Sequence, residues 1–355
     1  MTVSDGFGWQ LDPAVTGIHR STQPPGALPH VASHLDAVSG PNEHEFTLDV
    51  ERLNVDATSY RVIRERAGGD PEAMADLIRS IVAGHGKLQN PWTGSGGVLV
   101  GRVAEVGPRS SAAGLAPGTR VVPLVSLITL PLRLDDVGPV DPASPQVPAR
   151  GRAVVTGRMP WAAVPDDLPL DVALTAFDVY PAAWHVRDRA EPGDHVVVLG
   201  AGHAGLLAAV AAGAAVGARG RVSVVDTSET ALRRLAAAAP MARAVTADAT
   251  DPLAVVGALA ADGAGPADVT LVCTSAAGCE GTAVLATSPD GTVLFFSTAT
   301  SFHAAALGTD AIGSSVHLVI PNGCTPDRGG YTLDLLRANA ALLDSFRHGP
   351  AGVSR

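Results

Sequence analysis

The hydrophobic and polar positions of the first half fall into two patterns. Runs of alternating or continuous apolar residues occur at TLDVERLNVDATSY (47–60), GSGGVLVGRVAEVG (94–107), TRVVPLVS (119–126) and GRAVVTG (151–157). Glycine and proline punctuate them, which is the pattern of strands and turns. Between them, DPEAMADLIRSIVAG (70–84) places Met74, Leu77, Ile78 and Ile81 at i, i+3, i+4 and i+7, one face of an amphipathic helix. The first half therefore reads as a mainly β domain carrying one helix, with loops at 108–116 and 135–150.

The second half has a different rhythm. From His195 to Ala218 no Asp, Glu, Lys or Arg occurs, a stretch long enough to cross a bilayer. Its internal order excludes that reading. HVVVLG (195–200) is a short β-branched run, GAGHAG (200–205) a glycine turn, and the alanine- and leucine-rich stretch to Gly217 a helix. RVSVVD (221–226) is a second strand that closes on a carboxylate. Strand, glycine turn, helix, strand and acid form a βαβ dinucleotide-binding unit.

Each residue of that unit has a physical task. Gly200 permits the tight turn, Gly202 admits the pyrophosphate, and Gly205 allows helix and strand to pack closely. His203 and Ala204 complete the turn, where free helix N–H groups face the phosphates. Asp226, 21 positions after Gly205, takes the ribose hydroxyls and repels a 2′-phosphate, which selects NAD over NADP.

The alternation continues with helices at 229–239 and 251–261 and strands at 243–248, 267–276, 291–300 and 316–323. Asp248 is placed near the adenine. Thr274, Ser275, Ser297 and Thr298, at strand ends, either line the nicotinamide half or serve as ordinary turn residues. YTLDLLRANAALLDSF (331–346) reads as one last helix.

Composition narrows the partners. The chain has 355 residues, 46% of them hydrophobic and 17% charged, with a net charge of −10. This length suits two domains with sizeable cores. The acidic balance argues against nucleic acid and anionic membrane. Cys273, Cys279 and Cys324 are too few for a disulfide framework and suggest a reducing, cytoplasmic setting; the N-terminus lacks the pattern of an export signal. Lys87 is the only lysine beside 24 arginines. It is either a survivor of compositional drift or a position needing a compact ammonium of tunable pKa.

GSGGVLVGRVAEVGP (94–108) with LAPGTRVVPLV (115–125), and AVPDDLPLDVALTAFDVYPAAWHV (163–186) leading into EPGDHVVVLGAG (191–202), are similar to the medium-chain dehydrogenases/reductases. The resemblance implies an α/β chain: a GroES-like, mainly β catalytic domain (1–170), a Rossmann NAD-binding domain (171–315), and a last strand and helix (316–355) returning to the first domain. It also implies a homodimer or homotetramer. Zinc members carry a cysteine within the segment matching NVDATSY (54–60) and a His-Glu pair matching TGSGG (93–97). Neither is present, so no metal is expected.

Within that superfamily, residues 51–108, GIHRSTQPPGALP (17–29) and LVSLITLPLRLDDV (124–137) resemble the L-erythro-3,5-diaminohexanoate dehydrogenase family. The resemblance implies NAD-dependent oxidative deamination of a 3,5-diamino acid to the 3-oxo acid, with release of ammonia. Departures at the GHAG turn, Tyr180, Pro181, Trp184 and GKLQNP (86–91) allow a related, biosynthetic substrate. An ammonium substrate calls for carboxylates and its carboxylate for a cation. Asp178, which interrupts ALTAFDVYPAAW (173–184), is the first candidate, with Lys87 as carboxylate binder or acid/base. Asp56 and Ser59 stand where zinc members hold a ligand and a proton relay, or cap a turn. Tyr180 is a further relay candidate, and Asn90, Thr93 and Ser95 are candidate substrate donors and acceptors. Two other readings stay open: a zinc-free alcohol, ketone or enoyl reductase, and an NAD-binding homologue without turnover.

Overall fold

A computed structural model describes residues 3–4, 10–157, 159–321 and 326–347. The chain divides into two units, Met1–Asp178 and Val179–Arg355.

The first unit is built on β1 (Phe46–Val55), α1 (Ala57–Arg66), α2 (Pro71–His85), β2 (Gly97–Val106), β3 (Arg120–Pro123), β4 (Leu132–Val137), β5 (Gln146–Val155), β6 (Trp161–Ala163) and α3 (Leu170–Val179). These six strands form one antiparallel sheet in the order β6-β3-β2-β1-β5-β4, beside two short two-stranded ribbons. Phe46, Leu48, Leu53 and Val55 from β1 meet Ile63 of α1 and Met74 and Ile78 of α2 in its core. The helix at 71–85 follows from its pattern: Asp70 caps it by accepting the Ala73 amide, Pro71 sits at its start, and Gly86 ends it at φ 59.

One expectation is corrected here. Residues 56–60 read as the continuation of a strand, but β1 stops at Val55 and Asp56 turns the chain into α1. The Asp56 carboxylate accepts the Ser59 amide at 2.9 Å. This cap outweighs the β pattern of DATSY, and the first unit carries more than the one helix read from the sequence. An N-terminal arm is fastened to the sheet by a buried cluster. Arg20 Nε donates to Glu45 Oε1 at 3.0 Å, His19 Nε2 lies 3.0 Å from the same oxygen, and the Asn42 amide donates to Oε2 at 2.9 Å.

The second unit comprises α4 (Pro181–Arg189), β7 (His195–Leu199), α5 (His203–Val216), β8 (Arg221–Asp226), α6 (Glu229–Ala238), β9 (Arg243–Thr246), α7 (Pro252–Ala261), β10 (Ala267–Val272), α8 (Glu280–Leu285), β11 (Thr287–Phe295), α9 (Phe302–Ile312), β12 (His317–Val319), α10 (Pro326–Ala338) and α11 (Ala340–Arg347). All strand pairs are parallel, in the order β9-β8-β7-β10-β11-β12. That is the doubly wound dinucleotide-binding order, with its reversal between β7 and β10. β7 is buried at every position, which explains its uninterrupted apolar run.

The C-terminal segment departs from the reading. It is two helices, not one, because the Asn339 side-chain Oδ1 accepts the Leu342 amide at 3.0 Å while its Nδ2 donates to Ala238 O at 2.7 Å. Both helices lie within the second unit. Thr332 Oγ1 donates to Tyr180 O at 3.1 Å and His203 Nε2 to Ser345 O at 3.2 Å. The strand read at 316–323 spans 317–319, with residues 322 and 323 outside the described residues. No helix among the described residues is long and apolar enough to cross a membrane.

Candidate functional site

A polar cluster forms in the first unit where β1 ends. Gly97 opens β2 at φ 103, and a Cβ there would sit 2.0 Å from Asn54 O and 2.7 Å from the Asp56 amide. Only glycine permits that approach. It brings the 93–96 loop against the start of α1. Ser59 Oγ, fully buried, then lies 2.7 Å from Thr93 Oγ1 and 2.8 Å from Ser95 Oγ, and those two hydroxyls are 3.1 Å apart. Asn90 Nδ2 donates to Ser59 O at 3.2 Å, while its Oδ1 accepts the Trp92 amide at 2.9 Å. The Arg66 guanidinium lies 3.9 Å over the Trp92 ring, packing the outer side of this loop.

Two carboxylates adjoin the cluster. Asp56 Oδ1 serves the α1 cap, but Oδ2 is buried with no hydrogen-bond partner among the described residues. Asp178, at the end of α3, has its carboxyl pushed up to about 8, first by burial and then by the Asp56 carboxylate beside it. α3 is held to the sheet by Gln146, whose Nε2 donates to Asp171 O at 2.7 Å and to Thr175 Oγ1 at 3.0 Å. Asp178 resists losing its proton beside Asp56, and the two carboxyl groups offer lone pairs suited to a cation with protons to share.

Five of the residues singled out from sequence thus share one region: Asp56, Ser59, Asn90, Thr93 and Ser95, with Asp178 electrostatically coupled to it. Lys87 is turned elsewhere. Its buried Nζ donates to Pro29 O at 2.8 Å and His30 O at 3.3 Å, and burial lowers its pKa to about 8. Here it braces the 29–30 segment. Tyr180 is buried and belongs to the second unit, starting α4.

Sequence reasoning passed over Asn54, buried in β1 with its Oδ1 unpartnered, and Gln146. The polar break in LNVD was the available signal for Asn54; Gln146 carried none.

In the second unit, Gly200 (φ 103) turns the chain from β7 into α5, and a Cβ at Gly205 would sit 1.9 Å from Gly200 O. A Cβ at Gly202 would meet nothing within 4 Å, and α5 starts there without a side-chain cap. Open space at the start of this helix fits a dinucleotide pyrophosphate. Ala204 is buried in the first turn of α5, and His203 stacks on Phe346, ring centroids 4.5 Å apart.

Asp226 Oδ2 accepts the Ala201 amide at 2.7 Å and Oδ1 the Ser228 amide at 2.7 Å. It fixes the glycine turn and keeps further lone pairs for hydroxyl donors. Exposed Asp248 accepts from the Thr250 amide and hydroxyl at 2.9 and 2.8 Å, which holds its pKa below the usual range. Thr274 and Ser275 follow β10, and Ser297 and Thr298 follow β11. Among the described residues no group of three His, Cys, Asp or Glu is gathered as a metal site.

The model of the L-erythro-3,5-diaminohexanoate dehydrogenase N-terminal domain matches residues 19–165. L-erythro-3,5-diaminohexanoate dehydrogenase of Fusobacterium nucleatum is 36% identical over 93% of this chain and 96% of its own. The protein of that name from Acetoanaerobium sticklandii is 34% identical over 93% and 97%. Among solved structures, a mycobacterial protein complexed with NADPH is similar at TM-score 0.53 and 17% identity, covering 87% of this chain and 88% of that one. An alcohol dehydrogenase of a Thermus species is similar at TM-score 0.50 and 18% identity, covering 88% of each. The fold is that of the medium-chain dehydrogenases/reductases, a GroES-like unit and a Rossmann unit.

Proposed function

The chain belongs to the L-erythro-3,5-diaminohexanoate dehydrogenase family, and on that premise we propose that it oxidatively deaminates a 3,5-diamino acid with NAD. The observation that carries the reading is the Asp56–Asp178 pair, with a buried, unpartnered carboxylate oxygen beside three linked hydroxyls. An ammonium substrate supplies the missing donors. An alcohol, ketone or enoyl substrate brings no ammonium charge for two carboxylates to hold.

The nicotinamide cofactor, held through the Gly200–Gly205 turn and Asp226, accepts a hydride when bound. The remaining work falls to the chain. Asp178, once deprotonated, takes a proton from the substrate ammonium and so frees the nitrogen lone pair that expels the hydride. Asp56 Oδ2 holds the charge that develops on nitrogen. Ser59, Thr93 and Ser95 form a connected set of hydroxyls able to orient the water that hydrolyses the imine. The balance is amine, NAD+ and water giving ketone, ammonium, NADH and a proton when the amine enters as ammonium. Tyr180 and Asp248 stay as secondary contacts of the reaction and of the adenine. Lys87 braces the 29–30 segment.

The test compares 3-amino acids, 3,5-diamino acids and their 3-hydroxy counterparts as reductants of NAD+. The reading requires turnover of the amines alone; equal turnover of the hydroxy acids favours the alcohol-dehydrogenase alternative. For cofactor choice, Asp226→Ala should lower the NAD-to-NADP ratio of kcat/KM by about 10–100-fold, the loss of charge-assisted hydrogen bonds. An unchanged ratio would remove Asp226 from the ribose.

A further inference from the structure

We propose that Glu280 is a positioning residue for the nicotinamide side of the cofactor site. It is buried at 6% exposure at the start of α8, and its Oε1 accepts the Ser301 amide at 2.6 Å. Ser301 is the cap of α9, where its own hydroxyl accepts the Ala304 amide at 3.2 Å. Glu280 closes the loop that follows β10, and Ser301 closes the loop that follows the neighbouring β11. These loops carry Thr274 and Ser275 on one side and Ser297 and Thr298 on the other.

Each loop has its own internal braces. The Ala276 amide donates to Thr274 Oγ1 at 3.2 Å, Cys279 Sγ to Ala276 O at 3.4 Å, and the Ala299 amide to Ser297 Oγ at 3.1 Å. At their roots, the Phe296 and Ser297 amides both donate to Val272 O, at 3.1 and 3.0 Å. Glu280 adds a side-chain bond between their far ends.

Among the described residues Glu280 pairs with one backbone amide and no cation; a buried carboxyl group so placed is costly to keep, and apolar residues would serve stability better. A task in fixing the separation of the two loops accounts for it. The inference rests on the cofactor reading above. Ligands of open parallel sheets bind beyond the carboxyl ends of the strands, where these loops lie.

The test uses the full chain with Glu280→Met, which keeps the volume and removes the acceptor, and Glu280→Gln, whose carbonyl can still accept. Calorimetric titration with NAD+ and with NADH should give a Kd about tenfold higher for Glu280→Met and within about threefold of wild type for Glu280→Gln. The dinucleotide KM should follow the Kd while the amino-acid KM holds. Hydrogen exchange should quicken at 296–301 in Glu280→Met alone.

If Glu280→Met does not fold, Glu280→Asp carries the test. It keeps the charge but falls a methylene short of the Ser301 amide, and the same tenfold loss is expected. Unchanged dinucleotide affinity in the acceptor-deficient variant overturns the inference and leaves the cofactor reading standing. A wild-type chain that binds neither dinucleotide overturns both.

Discussion

Asp178→Asn should lower kcat/KM for the amino substrate by about 10²–10⁴-fold, the usual worth of a positioned general base, with the dinucleotide Kd unchanged. The wild-type pH profile should carry the signature of the same group. Its carboxyl is raised from 3.8 to about 8 by burial and by Asp56, so the base form grows as pH rises. Oxidative kcat/KM should therefore climb from pH 6.5 and level off above 9, and that limb should vanish in Asp178→Asn.

Stability runs the opposite way. Between about pH 4 and pH 8 the folded chain holds a proton that the unfolded chain has released, so stability falls as pH rises through this window. Asp178→Asn removes the penalty. Its melting temperature should exceed that of wild type at pH 8 and approach it at pH 4. An inactive variant no more stable at pH 8 would mean that Asp178 is not held protonated there.

Glu45→Gln should destabilise the chain by about 3 kcal/mol, because it removes the buried carboxylate that pairs the buried Arg20 guanidinium and leaves it only the partly exposed Asp36 at 3.8 Å. Urea unfolding at pH 7 measures this. Burial alone would raise Glu45, but hydrogen bonds from His19, Arg20 and the Asn42 amide outweigh it and bring the carboxyl from 4.5 to about 2. Its contribution is present above pH 4.5 and is lost as pH falls towards 2. The bond to Glu45 raises His19 above its usual 6.5. That part is complete below 6.5 and fades as pH rises through the raised value. Wild type should thus lose stability on both sides of the weakly acidic range, whereas Glu45→Gln should be flatter. A loss under 1 kcal/mol would show the arm to be held by its other contacts.

Much of this was legible because local chemistry and long-range packing agree. In the second unit, β-branched runs, the glycine turn and Asp226 each demand the same βαβ topology, and the strands pair in a parallel sheet. In the first unit the agreement fails at one point: DATSY has strand-like residues, but the Asp56 cap decides for a helix. That cap also sets Ser59 against Thr93 and Ser95, residues 34 and 36 positions away. The family resemblance singled out all three, whereas their union depends on a glycine approach that no local pattern encodes. Lys87 shows the limit of residue-type reasoning. Its uniqueness drew notice, yet its ammonium faces two carbonyls of the 29–30 segment. Asn339 and Glu280 were unreadable for the same reason, since each acts on a backbone group far away in sequence.

The central claim is that the carbon–nitrogen bond of an amino substrate is broken as the cofactor is reduced. Incubation with NAD+ and a 3,5-diamino acid, with NADH followed by absorbance and ammonium assayed in the same samples, tests it directly. One ammonium per NADH is the predicted result; NADH accumulating without ammonium would contradict it.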